Sequence, residues 1–197
     1  MIQYCMRKIV FDIETKNIFQ DVGSNDPAAL DISVVCVYDS LTDSYSSFLQ
    51  EDFKNLWPII EQADMLIGFN SDHFDIPLLS KYYHGDLSKI KSIDILKEIH
   101  KSLGRRVKLD NVAEATLGKN KSGHGLEAIT WWKQGEIQKI INYCIDDVKI
   151  TKEIYEYALK NNSLKYKDFG GKIMEIKIDT SDWEKIGKSS MNFSLGL

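Results

Sequence analysis

The sequence has little cysteine and little proline, three of each in 197 residues. Cys5, Cys36 and Cys144 are odd in number, far apart and form no C-x-x-C pair, which excludes a disulfide framework and a zinc-finger layout. They read as reduced, partly buried thiols. No Gly-rich phosphate loop is present, and neither a Ser-His-Asp nor a Cys-His arrangement can be read from the chain. No apolar run approaches the thickness of a bilayer, and residues 1–8 lack the layout of a secretory signal, so no membrane partner and a cytoplasmic location are expected. Positive charge is not in excess either. With 25 basic against 29 acidic residues the net charge is −4, which argues against gripping duplex nucleic acid over a broad basic face. An acidic cleft filled by metal remains compatible, because bound cations invert the local charge.

The remainder is that of a globular protein, 43% hydrophobic and 27% charged, long enough for one main domain with a sizeable core. It is organised around Arg7-Lys8-Ile9-Val10-Phe11-Asp12-Ile13-Glu14-Thr15. On a strand, Ile9, Phe11 and Ile13 share one face, and Val10, Asp12 and Glu14 share the other. Two carboxylates so placed repel, and leaving both ionised at the end of a buried strand is costly unless a cation joins them. A divalent metal is the natural partner. The competing reading is a solvated strand end, since Asp-x-Glu is a common triplet in so acidic a chain.

Along the chain, residues 16–31 form a polar loop with no assigned structure. β-Branched residues predict a second strand over 32–38 and a third over 45–49, giving an antiparallel meander with the first. A helix is expected over 52–63, kinked or restarted at Trp57 because Pro58 lies inside it. The apolar run 65–69 suits a strand covered on both faces; after 70–75 a helix follows over 76–83, then a short strand near 92–95 and helices over 95–103 and 109–117. The longest helix, 136–159, carries a core-facing stripe, with Tyr143 and Asp147 four apart on its flank. At about 100° per residue Asp146 points away from that stripe and should be solvated. The expected fold is α/β, a mixed central sheet flanked by helices. Residues 1–160 form the expected main domain, and 161–197 an extension with a β-hairpin about Gly170-Gly171.

Three separated pieces fit one chemistry: Asp-x-Glu at a strand end, Asn-x-x-x-Phe-Asp at a strand-to-helix junction, and Tyr-x-x-x-Asp on a long helix. Asp12, Glu14, Asp75 and Asp147 would suit two oxygen-loving cations, Mg²⁺ or Mn²⁺. Two such ions about 4 Å apart activate water on one side of a phosphate and stabilise the leaving oxygen on the other.

Phe11-Asp12-Ile13-Glu14-Thr15 resembles the first motif of the DEDD superfamily of 3′ to 5′ exonucleases. The stretch Gly68-Phe69-Asn70-Ser71-Asp72-His73-Phe74-Asp75-Ile76-Pro77-Leu78-Leu79 is similar to the second motif of the proofreading domain of family B DNA polymerases. Tyr143-Cys144-Ile145-Asp146-Asp147-Val148 resembles the third motif of that domain and of stand-alone relatives, as does Leu109 to Lys121 their linker helix and loop. The resemblance covers about Lys8 to Lys160 and implies a ribonuclease H-like fold. It implies that Asp12, Glu14, Asp75 and Asp147 bind the metals and that Tyr143 orients the attacking water. Asn142 stands where the His form of the superfamily has histidine, so the Tyr form (DEDDy) fits better. The implied activity releases nucleoside 5′-monophosphates from the 3′ end of single-stranded nucleic acid, DNA favoured over RNA. A partner polymerase or helicase is expected to be a separate chain. The alternatives are an inactive nucleic-acid-binding or scaffold protein of the same fold and a resolvase-like endonuclease.

Asn70 and Phe74 have two readings, lining the path of the strand terminus or serving as turn former and core plug. Ile13 and Thr15, beside the strand carboxylates, are further candidates for substrate contact. Arg105-Arg106-Val107-Lys108, Lys119 and Lys121 would contact phosphates or form solvated loops. Trp131-Trp132 would stack bases or pack.

Overall fold

The computed structural model describes residues 6–119 and 125–185. Strand β1 spans Lys8–Thr15; helix α1 (Phe19–Val22) and a short 3₁₀ turn (Pro27–Ala29) occupy the loop that follows. Strands β2 (Ile32–Asp39) and β3 (Ser44–Phe48) complete an antiparallel meander with β1. Helix α2 (Phe53–Glu61) crosses over to β4 (Met65–Gly68), and α3 (Asp75–Ser80) leads to β5 (Lys91–Asp94). Both of these strands run parallel, β4 to β1 and β5 to β4, so the sheet is mixed with the order β3-β2-β1-β4-β5. Helices α4 (Ile95–Leu103), α5 (Leu109–Leu117), α6 (Gly125–Lys133) and α7 (Ile137–Asn161) follow, then the antiparallel pair β6 (Ser163–Lys167) and β7 (Ile173–Lys177).

Side-chain alternation divides the core into two layers. Val10, Val34, Cys36, Met65 and Ile67 face α4, α5 and α7, whereas Ile9, Phe11, Ile13, Val35, Val37 and Leu66 face α2 and α3. The register of β1 on β2 shifts between Glu14 and Thr15, where Thr15 pairs with Ile32 and Glu14 with Val34. That bulge at Ser33 turns Ile32 onto the face opposite Val34, as an inserted residue must. Cys36 and Cys144 lie fully inside, deeper than the partly buried thiols expected.

Two local expectations change. Helix α2 runs unbroken through Pro58, with Phe53, Leu56 and Ile60 forming its buried stripe. The carbonyl that Pro58 leaves without its amide partner belongs to Lys54, on the exposed side where water reaches it. The region around Trp131-Trp132, given no element from sequence, forms α6 and packs on α7 and β1. Among the described residues no helix is long and apolar enough to cross a membrane.

Arg7 fastens the start of β1 to its surroundings. Its guanidinium donates to both oxygens of Asp39 at 3.1 and 2.6 Å and to Gln62 Oε1 at 2.8 Å, while its amide donates to Asp64 Oδ2 at 2.7 Å. Burial raises the Asp39 carboxyl, but the Arg7 hydrogen bonds and the Leu41 amide outweigh it and hold the group below the usual range. A depressed folded pKa means the contribution is complete above the unfolded value and is lost as pH falls through the folded one. Asp39→Asn should therefore be less stable than the parent at pH 7, with the two chemical-denaturation midpoints converging below roughly pH 4.

Candidate metal centre

Because Val10, Asp12 and Glu14 alternate onto the face covered by α7, the two strand carboxylates meet that helix at the end of β1. α7 is fixed there by Ile140, Cys144 and Val148, all fully buried, and by a hydrogen bond from Cys144 Sγ to the Asp12 carbonyl at 3.4 Å. One turn of helix then brings Tyr143 and Asp147 to the same side, each 3% exposed. Asp146 is turned outward and pairs with Lys149 at 3.0 Å, as its helical phase predicts. One carboxylate oxygen from each of Asp12, Glu14 and Asp147 lies within 4.8 Å of the others, with Asp147 buried and the strand pair half-buried.

Asp75 does not join this mutual 4.8 Å set. It begins α3 and is 4% exposed. Burial pushes its carboxyl up to about 7 and the neighbouring Asp94 charge adds to the rise, while its own amide and that of Ile13 hold it down. The Ile13 amide lies between Asp12 and Glu14 in sequence, so Asp75 is tied to the strand that carries them.

The junction before α3 is shaped by a residue that sequence reading passed over. Asp94 closes β5 and accepts from the amides of Asn70 (2.8 Å), Asp72 (3.1 Å) and Lys97 (3.2 Å). It thereby caps α4 and folds residues 70–72 into the turn that delivers Asp75. Asn70 occupies a left-handed conformation, φ 70°, which asparagine tolerates, and its side-chain oxygen accepts from Arg106. At Gly68 a Cβ would stand 2.4 Å from the Cβ of Ser71, so the tightness of this turn requires glycine.

The other sequence candidates are dispersed. Ile13 sends its side chain into the core layer facing α2 and α3, and Phe74 packs there edge-on against Phe19 at 6.1 Å. Thr15 Oγ1 donates to the Asn17 carbonyl at 2.9 Å, and Lys119 pairs with Glu153 at 2.7 Å. Lys121 lies outside the described residues. Helix α6 adds a contact not foreseen: Trp131 meets the Tyr143 ring edge-on at 6.0 Å, and Lys16 lies over Trp132 at 4.8 Å.

A model of the RNase H superfamily matches residues 9–159, and the chain belongs to that superfamily. Its described strands and helices form the mixed sheet expected of it. No curated protein matches the sequence. Among solved structures, the family B DNA polymerase from the hyperthermophilic archaeon Pyrobaculum calidifontis is similar in fold. The TM-score is 0.61 with 18% identity over 79% of this chain, which spans only 25% of the polymerase chain.

The donor set fits a hard divalent cation. It offers oxygen only, from three carboxylates that converge on one point, one of them buried where a lone negative charge is costly. Titration of the metal-free protein with Mg²⁺ or Mn²⁺ to about 100 times the dissociation constant should raise Tm by about 5–10 °C. Asp147→Asn, with one negative charge fewer, should be at least as stable without metal and show little of that rise in a thermal melt.

Proposed function

We propose that the chain is a metal-dependent 3′ to 5′ exonuclease of the DEDDy type. It would act on single-stranded nucleic acid and release nucleoside 5′-monophosphates. The observation that carries the proposal is the convergence of Asp12, Glu14 and Asp147 on one point, with Tyr143 one helical turn from Asp147. The fold similarity to a DNA polymerase favours DNA over RNA.

Asp12, Glu14 and Asp147 would hold the cations, with Asp75 as the fourth carboxylate of the site. Two divalent cations, Mg²⁺ or Mn²⁺, would supply positive charge against the charge developing on the attacking and departing oxygens. Tyr143 hydrogen-bonds the attacking water and sets its line toward the terminal phosphodiester. Its ring is held by burial and by the edge of Trp131, so the hydroxyl is positioned before substrate arrives. Asn70, at the turn that delivers Asp75, would line the path of the terminal nucleotide.

A 5′-labelled single-stranded oligonucleotide should shorten stepwise from its 3′ end with Mg²⁺ or Mn²⁺ and stay intact in EDTA. Asp12→Ala and Asp147→Ala should abolish hydrolysis while circular dichroism is unchanged. Tyr143→Phe should lower kcat roughly 100-fold and leave KM nearly unaltered. Full Mg²⁺-dependent activity in either alanine variant, or cleavage of a circular single strand, would overturn the proposal.

A further inference from the structure

The loop between α4 and α5, residues 104–108, sends two arginines to different places. Arg106 donates to the side-chain oxygen of Asn70, at the turn beside Asp75. Arg105 lies over two rings of the β6–β7 hairpin, Tyr166 at 4.9 Å and Phe169 at 5.0 Å. Tyr166 is buried, but Phe169, at the hairpin tip, is 98% exposed. The tip is well fixed. The Asp168 amide donates to the Lys172 carbonyl and the Gly171 amide to the Asp168 carbonyl, while Asp168 Oδ1 accepts from the amides of Gly170 and Lys172, all at 2.9–3.0 Å. An apolar ring is therefore held out in water on a clamped turn, with a guanidinium against it.

The surroundings are suited to a polyanion. The hairpin carries Lys165, Lys167, Lys172 and Lys177, of which Lys167 is paired with Glu114. The Asp168 carboxylate is engaged in the turn, and Lys165 stands opposite Glu175 in the ladder. A cleft of about 490 Å³ opens beside Asn70, with Lys97, His100, Lys101 and Arg106 in its walls together with Asp72 and Asp94; Lys97 pairs with Asp72 at 2.5 Å and Lys101 with Glu98 at 2.6 Å, which leaves Arg106 as the cation turned to Asn70. Arg106 beside Asn70 and Arg105 beside the hairpin are neighbours in one loop, which leads from the cleft to an exposed aromatic face. Phosphates would pair with the arginines and a base would stack on the ring.

We infer that the 104–108 loop and the Phe169 hairpin form a binding track for single-stranded nucleic acid upstream of the 3′-terminal nucleotide. This rests on the nucleic-acid reading above and extends it to residues outside the three motifs. Arg105 and Arg106 hold phosphates, and Phe169 stacks a base several nucleotides from the end. Ile173 and Met174, also exposed on β7, would suit a second copy of the chain, but two such cationic surfaces repel each other.

The test is fluorescence anisotropy of a 5′-labelled single-stranded oligonucleotide with the full chain in EDTA. Phe169→Ala should weaken binding about tenfold and Phe169→Trp restore it, because stacking needs only an aromatic face. Arg105→Ala should weaken binding and reduce the slope of log affinity against log salt by about 0.7. With metal, the KM of Phe169→Ala should rise for a long oligonucleotide and much less for a dinucleotide. Equal affinity in parent and Phe169→Ala, or a nucleic-acid-independent dimer that Phe169→Ala dissolves without changing affinity, overturns the track and leaves the nuclease reading intact. Phe169-dependent binding without hydrolysis in Mg²⁺ or Mn²⁺ supports the track and removes the nuclease. Failure of the parent to bind any nucleic acid overturns both.

Discussion

The mutual repulsion of Asp12, Glu14 and Asp147 is the constraint on which the rest of the structure depends. Two unit charges within 4.8 Å of each other, in an effective dielectric near 20, repel by at least about 3 kcal/mol when both are ionised, a large fraction of a domain's net stability. The chain opposes this with apolar contact on both sides of the carboxylates. β1 is the middle strand of five, and α7 lies across it with Ile140, Cys144, Val148, Ile154 and Ala158 fully buried. The helix cannot withdraw Asp147 without opening that layer. Charges that would separate on a flexible surface are therefore held together by packing, which is the arrangement that gives a divalent cation its affinity.

The end of β1 is also where pairing changes. Its register with β4 covers Lys8 to Val10, and its register with β2 slips after Glu14. Asp12 to Glu14 thus run beyond the parallel neighbour while still held by the antiparallel one. In that gap the Ile13 amide meets Asp75 and the Asp12 carbonyl meets Cys144, so α3 and α7 both anchor on the peptide units between the strand carboxylates.

Much of this was legible because it follows from short periods. Period 2 put Asp12 and Glu14 on the Val10 face, and period 3.6 separated Asp147 from Asp146; both reappear in the packing. The features that were not legible depend on partners far away in sequence. Asp94 looks like one acid among 29, and its importance comes from the amides of Asn70 and Asp72, more than 20 residues earlier. In sequence Arg106 is one member of a basic run, because its partner Asn70 is 36 residues away. The slip that turns Ile32 to the other face depends on a neighbouring strand, which no local pattern encodes. Pro58 is accommodated inside α2 because a missing amide is costly only where water cannot reach the carbonyl it leaves, and Lys54 lies on the outer side of the helix.

Asp75 differs in kind from the other three carboxylates. They face one another across a half-buried gap, whereas Asp75 is enclosed at the start of α3 with Asp94 as its charged neighbour, so that burial alone favours its protonated form. Positive charge brought close to such a carboxyl would favour its ionised form. The feature nearby that would concentrate such charge is the acidic trio, and the Ile13 amide joins Asp75 to the strand that bears two of its members. Outside the mutual 4.8 Å set, Asp75 adds less repulsion to the metal-free protein than a fourth member of that set would.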